Sequence, residues 1–180
     1  YHHKSPDGLD AGHAEHLGHV LARPLLRTIR PAPGCRFARQ DVPVTETQGD
    51  GKFYLALRPG EIVAAVRAKN TAGLRSGYDK IRIRKSIEYP VAGVAVALKR
   101  EGDRLADLRV AFTGTNPRPV LLDGTAELTG GGLDERVFKG LDALVRDQIM
   151  PMKTTFTPGH YRRRVAGVLA RRLLTRLFEA

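Results

Sequence analysis

The clearest alternation of apolar and polar positions in the chain follows Tyr78. Ile81 and Ile83 alternate with Arg82 and Arg84, which is the two-residue period of a strand with one buried face. Similar short periods recur on both sides of this stretch, separated by turn residues. The pattern predicts a run of antiparallel strands near 78–85, 91–100 and 105–115, the last two joined by a turn at "REGD".

The corner between the first two of these strands is longer than a tight hairpin needs. A structural hairpin commonly closes with Gly or Asn in a two-residue turn. Here the connection reads "KSIEYP", from Lys85 to Pro90, and contains a cation, a carboxylate and an aromatic ring. A corner of this length and chemistry can hold a ligand.

Two shorter strands are predicted upstream, at Phe53–Leu57 and Ile62–Ala68. They flank the turn Arg58-Pro59-Gly60, in which Pro presets one backbone dihedral and Gly permits the next.

The pattern of apolar and polar residues becomes helical after Asn116-Pro117. A short helix is predicted within "RPVLLDGTAELTG". A longer one follows Asp134, its N-cap, with one apolar face consisting of Val137, Leu141, Leu144 and Val145.

The last helix has the most distinct signals. Thr157 is the predicted cap and Pro158 the first helical residue. Its predicted apolar stripe consists of Tyr161, Val165, Val168, Leu169, Leu173 and Leu177, and its arginines (162, 163, 164, 171, 172 and 176) mostly cover the remaining surface. Strands followed by helices predict an α+β fold, an antiparallel sheet of three to four strands with helices packed on one face.

Residues 1–41 differ from the rest of the chain. They contain five of the six histidines and several prolines that interrupt short apolar patches. We expect a poorly specified segment at 1–41, followed by one α+β domain at 42–180.

Composition bounds the class of protein. The 180 residues are 42% hydrophobic, no apolar run reaches the length of a membrane span, and a single cysteine, Cys35, excludes an internal disulfide. A chain with one thiol is typical of a reducing compartment, so a cytoplasmic location is expected. The net charge of +11 favours anionic partners, and the kind of partner depends on where the charge lies.

Two motifs resemble ligand sites but favour structural explanations. Histidines 13, 16 and 19 would fan out around a helix rather than converge on a metal, so no metal site is predicted. The glycines of "TGGGLDE" lack the Lys-Ser/Thr of a phosphate-binding loop and suit a turn before a helix.

The basic terminal helix is not predicted to bind nucleic acid, because no aromatic residues are interleaved with its arginines. A solvated or partner-facing basic side is favoured. No catalytic triad is predicted either: His160 is the only histidine of the well-patterned region, and no motif gives it an orienting carboxylate.

Four phrases together resemble one family: "YLALRPGEIVAAVR", "GYDKIRIRKSIEYPVAGVAVAL", "LRVAFTGTNPRPVLLDGT" and "MPMKTTFTPGHYRRRVAGVLARRL". They are similar to the C-terminal domain of the flavoprotein (medium) subunit of molybdenum hydroxylases, the carbon monoxide dehydrogenase and xanthine dehydrogenase family. Within it, "TGTNPRPVLL" and "MPMKTT" most resemble the β subunit of 4-hydroxybenzoyl-CoA reductase.

The resemblance implies a redox role. In this family FAD binds between an N-terminal flavin domain and this C-terminal domain, and electrons pass through iron–sulfur clusters to a molybdenum cofactor. The implied partners are the molybdenum-binding large subunit and the [2Fe–2S] small subunit, with no nucleic acid. The corner corresponds to the segment against the flavin, so the resemblance implies that Tyr89, Pro90 and Lys85 contribute to cofactor binding and that this chain has no catalytic residue.

Two departures from the family limit what the isolated chain is expected to do. The glycine-rich flavin domain does not precede residue 50, and one cysteine cannot supply the [4Fe–4S] cluster of the reductase branch. We therefore expect a truncated or frame-shifted product that binds FAD weakly by itself. The alternative is a cofactor-free module that docks on the partner subunits through its basic helix.

Overall fold

The computed structural model describes residues 25–32, 36–43, 57, 59, 62–67, 72–84, 90–152 and 157–180. They contain strands β1 (Leu25–Ala32), β2 (Arg36–Pro43), β3 (Ile62–Arg67), β4 (Arg75–Ile81), β5 (Ala92–Glu101), β6 (Arg104–Thr113) and β7 (Val120–Leu121), a 3₁₀ helix (Thr125–Leu128), and helices α1 (Glu135–Gln148) and α2 (Gly159–Glu179).

An antiparallel sheet with the strand order β4-β5-β6-β7 forms the centre of the fold. Strands β5 and β6 are joined by the predicted tight turn, with Glu101 opposite Arg104 and Gly102 at a φ of 60°. A positive φ favours glycine, which explains that residue at this position.

Strand β5 is buried on both faces, from Ala92 to Leu98. Val94, Val96 and Leu98 belong to the large core, whereas Ala95 and Ala97 belong to a smaller cluster with Tyr78 on the opposite face. The strand therefore reads as a nearly continuous apolar run and not as an alternation.

Helices α1 and α2 cover the first of these faces. The core beneath them is made of aliphatic side chains and Phe112, with Leu141, Ile149, Leu173 and Leu174 fully buried. Gly77 lets α2 approach closely, because a Cβ on it would lie 3.1 Å from Leu173 Cδ1. The predicted α+β architecture, with an antiparallel sheet and helices on one face, is confirmed.

The apolar stripe predicted on α2 is confirmed in part, because Leu169 and Leu173 are buried and Val165 and Leu177 pack against the core. The buried residues are Arg162, Ala166, Gly167, Leu169, Ala170, Leu173 and Leu174. Tyr161, predicted in the stripe, has 47% of its surface exposed, whereas Arg162, predicted on the solvated side, is 5% exposed. Small residues complete the buried face, so large apolar side chains alone did not reveal it.

Two details before the helices also differ from prediction. The segment "RPVLLDGTAELTG" forms strand β7 and the 3₁₀ helix instead of one short helix. Helix α2 begins at Gly159 with Pro158 at the N-cap, one residue later than predicted from Thr157. The predicted N-cap of α1 is confirmed, because the Asp134 carboxylate accepts a hydrogen bond from the Val137 N–H at 3.0 Å.

Two arginines from the sheet hold the C-terminal end of α2. Arg75 donates to the carbonyl oxygens of Leu177 and Phe178 at 3.3 and 3.1 Å, and Arg100 donates to that of Phe178 at 2.7 Å. The Arg100 guanidinium also lies over the Phe178 ring, 4.9 Å from its centroid. The last carbonyls of a helix have no partner within it, so these cations satisfy them and complement the helix dipole.

A second sheet, β2-β1-β3, lies earlier in the chain. Its β1–β2 hairpin pairs Leu25 with Pro43 through to Ala32 with Arg36, in a segment where the sequence predicted no regular element. Strand β3 agrees with the predicted strand at 62–68. The predicted strand at Phe53–Leu57 lies outside the described residues except for Leu57, and so do histidines 13, 16 and 19.

The observed buried face of α2 predicts which helix residues stabilise the fold. Leu174→Ala should lower the free energy of unfolding by about 2–5 kcal/mol, because it opens a cavity in the core. Tyr161→Ala, on the more exposed side, should change it by less than about 1 kcal/mol. Urea unfolding followed by circular dichroism measures both free energies. A larger loss of stability for Tyr161→Ala than for Leu174→Ala would show that Tyr161 faces the core, as the sequence predicted.

Candidate functional site at the strand corner

The corner that follows β4 leaves the sheet between Ile81 and Val91. A hydrogen bond of 2.8 Å from the Val91 N–H to the Ile81 carbonyl oxygen closes its base. Of the predicted cofactor-binding residues, Pro90 is placed at this base and is half-buried. Lys85 and Tyr89 lie outside the described residues, so their role stays a prediction.

The loop after β6 packs directly against this base. Gly114 has a φ of 72°, and a Cβ on it would lie 2.9 Å from the Pro90 carbonyl oxygen and 3.1 Å from Pro90 Cγ. Only glycine tolerates both this positive φ and this close approach to Pro90 without strain. This contact fixes the position of Pro90 at the base of the corner.

Arg162 joins the corner to the helix layer. Its side chain donates to the carbonyl oxygens of Val91 at 3.0 Å and Met152 at 3.2 Å, and also to that of Gly114. One guanidinium thus binds the start of β5, the loop after β6 and the segment before α2.

This arginine is charged although it is buried. Loss of water around the guanidinium lowers the pKa of Arg162, but arginine starts so high that it stays protonated at neutral pH. Its hydrogen bonds are to neutral carbonyls. Burying a charge is tolerated only when it is well hydrogen-bonded, and five N–H donors in a planar fork suit several carbonyls at once.

Unsatisfied polar atoms cluster in the loop beside the corner. Thr113 Oγ1, Thr115 Oγ1 and Asn116 Oδ1 are buried without a hydrogen-bond partner. The backbone here is well anchored, since the Thr115 carbonyl accepts from the Met152 N–H at 2.9 Å. Buried polar atoms without a protein partner are uncommon, so these three oxygens leave unused hydrogen-bonding capacity next to the corner.

The sheet face near the corner is lined by small residues. A Cβ on Gly93 would lie 2.5 Å from the Tyr78 hydroxyl oxygen and 2.7 Å from Thr113 Oγ1. Ala95 and Ala97 continue the same face. Gly93 therefore provides the space in which these two hydroxyl groups approach the strand.

The glycine run at 130–132 has a structural role. The Gly130 N–H donates to the Leu105 carbonyl at 2.9 Å, and the Leu105 N–H donates to the Gly131 carbonyl at 2.8 Å. The helix that follows is already capped by the Asp134 carboxylate, so its N-terminus does not offer a free phosphate site.

Two absences characterise the part of the chain that the structure describes. It contains no group of three or more His, Cys, Asp and Glu side chains placed to hold a metal ion. Neither of its α-helices combines the length and the apolar character needed to cross a membrane.

Comparison with known proteins assigns the domain. Residues 77–177, which include the corner, the helix α1 and most of the four-stranded sheet and of α2, match the family described as CO dehydrogenase flavoprotein C-terminal domain. The chain belongs to this family.

Curated relatives of the family are medium chains. The protein is 28% identical over 120 residues to the glyceraldehyde dehydrogenase medium chain of Sulfolobus acidocaldarius, covering 66% of this chain and 42% of the relative. It is 28% identical over 128 residues to the carbon monoxide dehydrogenase medium chain of Afipia carboxidovorans, covering 70% and 44%. The aligned region thus spans less than half the length of each relative.

Solved structures share the fold over most of the chain. A carbon monoxide dehydrogenase from Hydrogenophaga pseudoflava superposes with a TM-score of 0.77 at 19% identity, covering 91% of this chain and 55% of that one. Quinoline 2-oxidoreductase from Pseudomonas putida 86 superposes with a TM-score of 0.73 at 17% identity, covering 96% and 61%.

Sequence reasoning missed the residues that hold the corner in place. Arg162 was assigned to the solvated side of the last helix, and Gly114 was given no role. A usable signal was present: Arg162, Ala166, Leu169 and Leu173 recur at steps of three and four, the helical period of a buried face.

Removal of the buried guanidinium should destabilise the fold from the corner. Arg162→Met leaves three backbone carbonyls without their charged donor and should lower the free energy of unfolding by about 2–4 kcal/mol. Arg162→Lys keeps the charge but not the planar fork, so its free energy of unfolding should lie between those of Arg162→Met and the parent.

The matched control is Arg164→Met, two residues along the same helix and exposed, which should stay within about 0.5 kcal/mol of the parent. Urea unfolding midpoints measure all three variants. Equal midpoints for the Arg162→Met and Arg164→Met variants would show that the buried interaction does not hold the corner.

Proposed function

We propose that this chain is the C-terminal domain of the flavoprotein subunit of a molybdenum-containing oxidoreductase, in which it forms one wall of an FAD pocket. The observation that carries the proposal is the corner before β5, fixed by Arg162 and Gly114, within a domain of the flavoprotein family. The remainder of the pocket would come from a flavin domain. FAD supplies one- and two-electron redox chemistry when bound.

The chemistry of the corner fits a flat ring with a polar edge. Tyr89 offers a planar apolar face with a polar tip, and Pro90 restricts the backbone that presents it. The Lys85 ammonium would favour negative charge on the reduced ring. Unpartnered oxygens of Thr115 and Asn116 in the adjoining loop add hydrogen-bonding capacity next to this wall.

Exposed apolar side chains support the proposal that another polypeptide covers the corner in the assembled protein. Ile83 at the start of the corner is 61% exposed, and Met152, whose N–H binds the adjoining loop, is 41% exposed. Large exposed apolar side chains near a site are typical of surfaces that another polypeptide covers.

The partners proposed are a molybdenum-binding large subunit and a [2Fe–2S] small subunit, with the molybdenum cofactor and iron–sulfur clusters held outside this chain. For the substrate we propose an aromatic acyl-CoA of the 4-hydroxybenzoyl-CoA type, supported by the phrases "TGTNPRPVLL" and "MPMKTT". A cofactor-free docking module remains the second candidate, favoured by the basic outer side of α2.

Replacement of the predicted ring should change the flavin. In the complex of all three subunits, Tyr89→Ala should weaken FAD binding about fivefold, the value of about 1 kcal/mol of aromatic stacking, and should shift the flavin absorbance bands and slow electron transfer. Tyr89→Phe, which keeps the ring, should bind FAD like the parent.

Flavin content after gel filtration, visible absorbance and stopped-flow reduction give these quantities. If Tyr89→Ala and the parent have the same flavin spectrum and transfer rate, the flavin wall is refuted. A parent complex that assembles without any flavin would favour the docking module.

The proposed branch predicts substrate preference. With a reduced artificial electron donor, the complex should reduce 4-hydroxybenzoyl-CoA, and with an oxidised acceptor it should show little oxidation of glyceraldehyde or carbon monoxide. Turnover of either of the latter two, without reduction of the acyl-CoA, would assign the chain to a dehydrogenase branch instead.

A further inference from the structure

A groove rich in arginine runs between α1 and α2. It consists of two adjoining cavities of about 430 and 730 Å³, which share Val168 and Arg171. We call it the arginine groove, and its basic residues are Arg146, Arg163, Arg164, Arg171, Arg172 and Arg176.

Only part of this charge is neutralised within the protein. Arg171 lies 3.3 Å from the Asp142 carboxylate, and Arg176 lies 3.8 Å from that of Asp79. Arg163 donates to the Ile149 carbonyl at 2.7 Å.

Like Arg163, whose acceptor is a neutral carbonyl, the three remaining arginines have no acidic partner among the described residues. Arg164 and Arg172 lie on α2 and Arg146 lies opposite on α1. All three are largely exposed, so their guanidinium groups can be reached by an incoming chain. The groove therefore has unpaired positive charge on both of its walls.

The shape of the groove indicates the class of anion it fits. From Arg164 to Arg176 the cations extend over about 18 Å, at 1.5 Å per helical residue, which is too far for one phosphate to bridge. Val168 and Phe138 contribute apolar surface between the cations. An alternation of cations with apolar patches suits an acidic polypeptide segment that carries some apolar side chains.

Nucleic acid fits the groove less well. The carboxylates of Asp142 and Glu179 interrupt the row of arginines, so the groove lacks the continuous positive stripe that a phosphate backbone follows. Phe138 is half-buried in α1 and offers no free face for stacking bases, and the other ring that lines the two cavities is the small imidazole of His160.

We infer that the arginine groove docks an acidic segment of another subunit of the same complex. The inference rests on the proposed function for the existence of that complex, but it concerns a different surface from the flavin wall. Complementary charge would speed association and fix the orientation of the partner.

Charge reversal on the groove tests the inference in the assembled complex. The variant Arg164→Glu with Arg172→Glu should weaken subunit association at least about tenfold at low salt, since two attractions become repulsions. The control, Arg104→Glu with Lys139→Glu, changes the net charge by the same amount at exposed positions that do not line the groove, and should stay within about twofold. Association is measured by biolayer interferometry with the co-purified partner subunits, at about 50 mM and 500 mM salt.

If the groove variant and the control associate equally well, the inference is overturned. Thermal unfolding verifies that each variant is folded. Should the reversed variant fail to fold, the neutral pair Arg164→Gln and Arg172→Gln is measured instead, with an expected weakening of about threefold.

A second measurement separates the anion classes with defined probes: a glutamate-rich decapeptide, a single-stranded DNA decamer and inorganic phosphate. Salt-sensitive peptide binding that the groove variant loses supports the inference. Preferential binding of DNA or phosphate overturns it.

The two proposals fail in different ways. A silent Tyr89→Ala variant together with a dissociating groove variant refutes the flavin wall alone. The opposite result refutes the docking inference alone.

Discussion

Bonds between guanidinium groups and backbone carbonyls fix the last helix on the sheet, and the candidate site depends on them. At one end of α2, Arg162 extends from the helix to carbonyls of the sheet layer, and at the other, Arg75 and Arg100 extend from the sheet to carbonyls of the helix. Apolar packing between the two ends is non-directional and by itself sets the position of a helix along its axis less sharply than hydrogen bonds do. These charged bonds are directional, so they define that position and, through Val91 and Gly114, the base of the corner.

The constraint has a cost that explains the local sequence. A buried arginine is tolerated only where its donors find acceptors, and here the acceptors are carbonyls at the start of β5 and in the loop after β6. Those carbonyls are available because Gly114 adopts a positive φ and brings its loop against Pro90. Ala166 follows Arg162 on the same buried face of the helix, whereas Gly167 faces Asp142 and Val145 of α1. The corner is therefore specified by residues far apart in the chain.

Several parts of the fold that depend on local patterns were predictable from sequence, but the strand predicted through residue 85 ends at Ile81, and Ile83 is 61% exposed. Features that depend on distant contacts were not predictable. The turn at Gly102 and the N-cap at Asp134 each follow from a few adjacent residues, and the antiparallel sheet with its helices followed from their order. Part of the buried face of α2 was missed because it includes an arginine whose acceptors lie 71 and 48 residues away in the chain. The β1–β2 hairpin was missed because Pro31 lies within a strand, where proline normally argues against one. The flavin contacts of Lys85 and Tyr89 came from family resemblance and could not be obtained from periodicity.

One helix connects the two surfaces that the proposed function needs. Arg162 and Arg164 are two residues apart on α2, which places them about 200° apart around its axis. The first holds the corner from inside, and the second belongs to the arginine groove outside. A subunit docked in that groove would press on the same rigid element whose inner side holds Pro90 and its loop. Since packed interiors are stiff, any displacement of α2 by the partner would be transmitted to the corner. Assembly of the complex and the shape of the flavin wall would then be linked through the position of this helix.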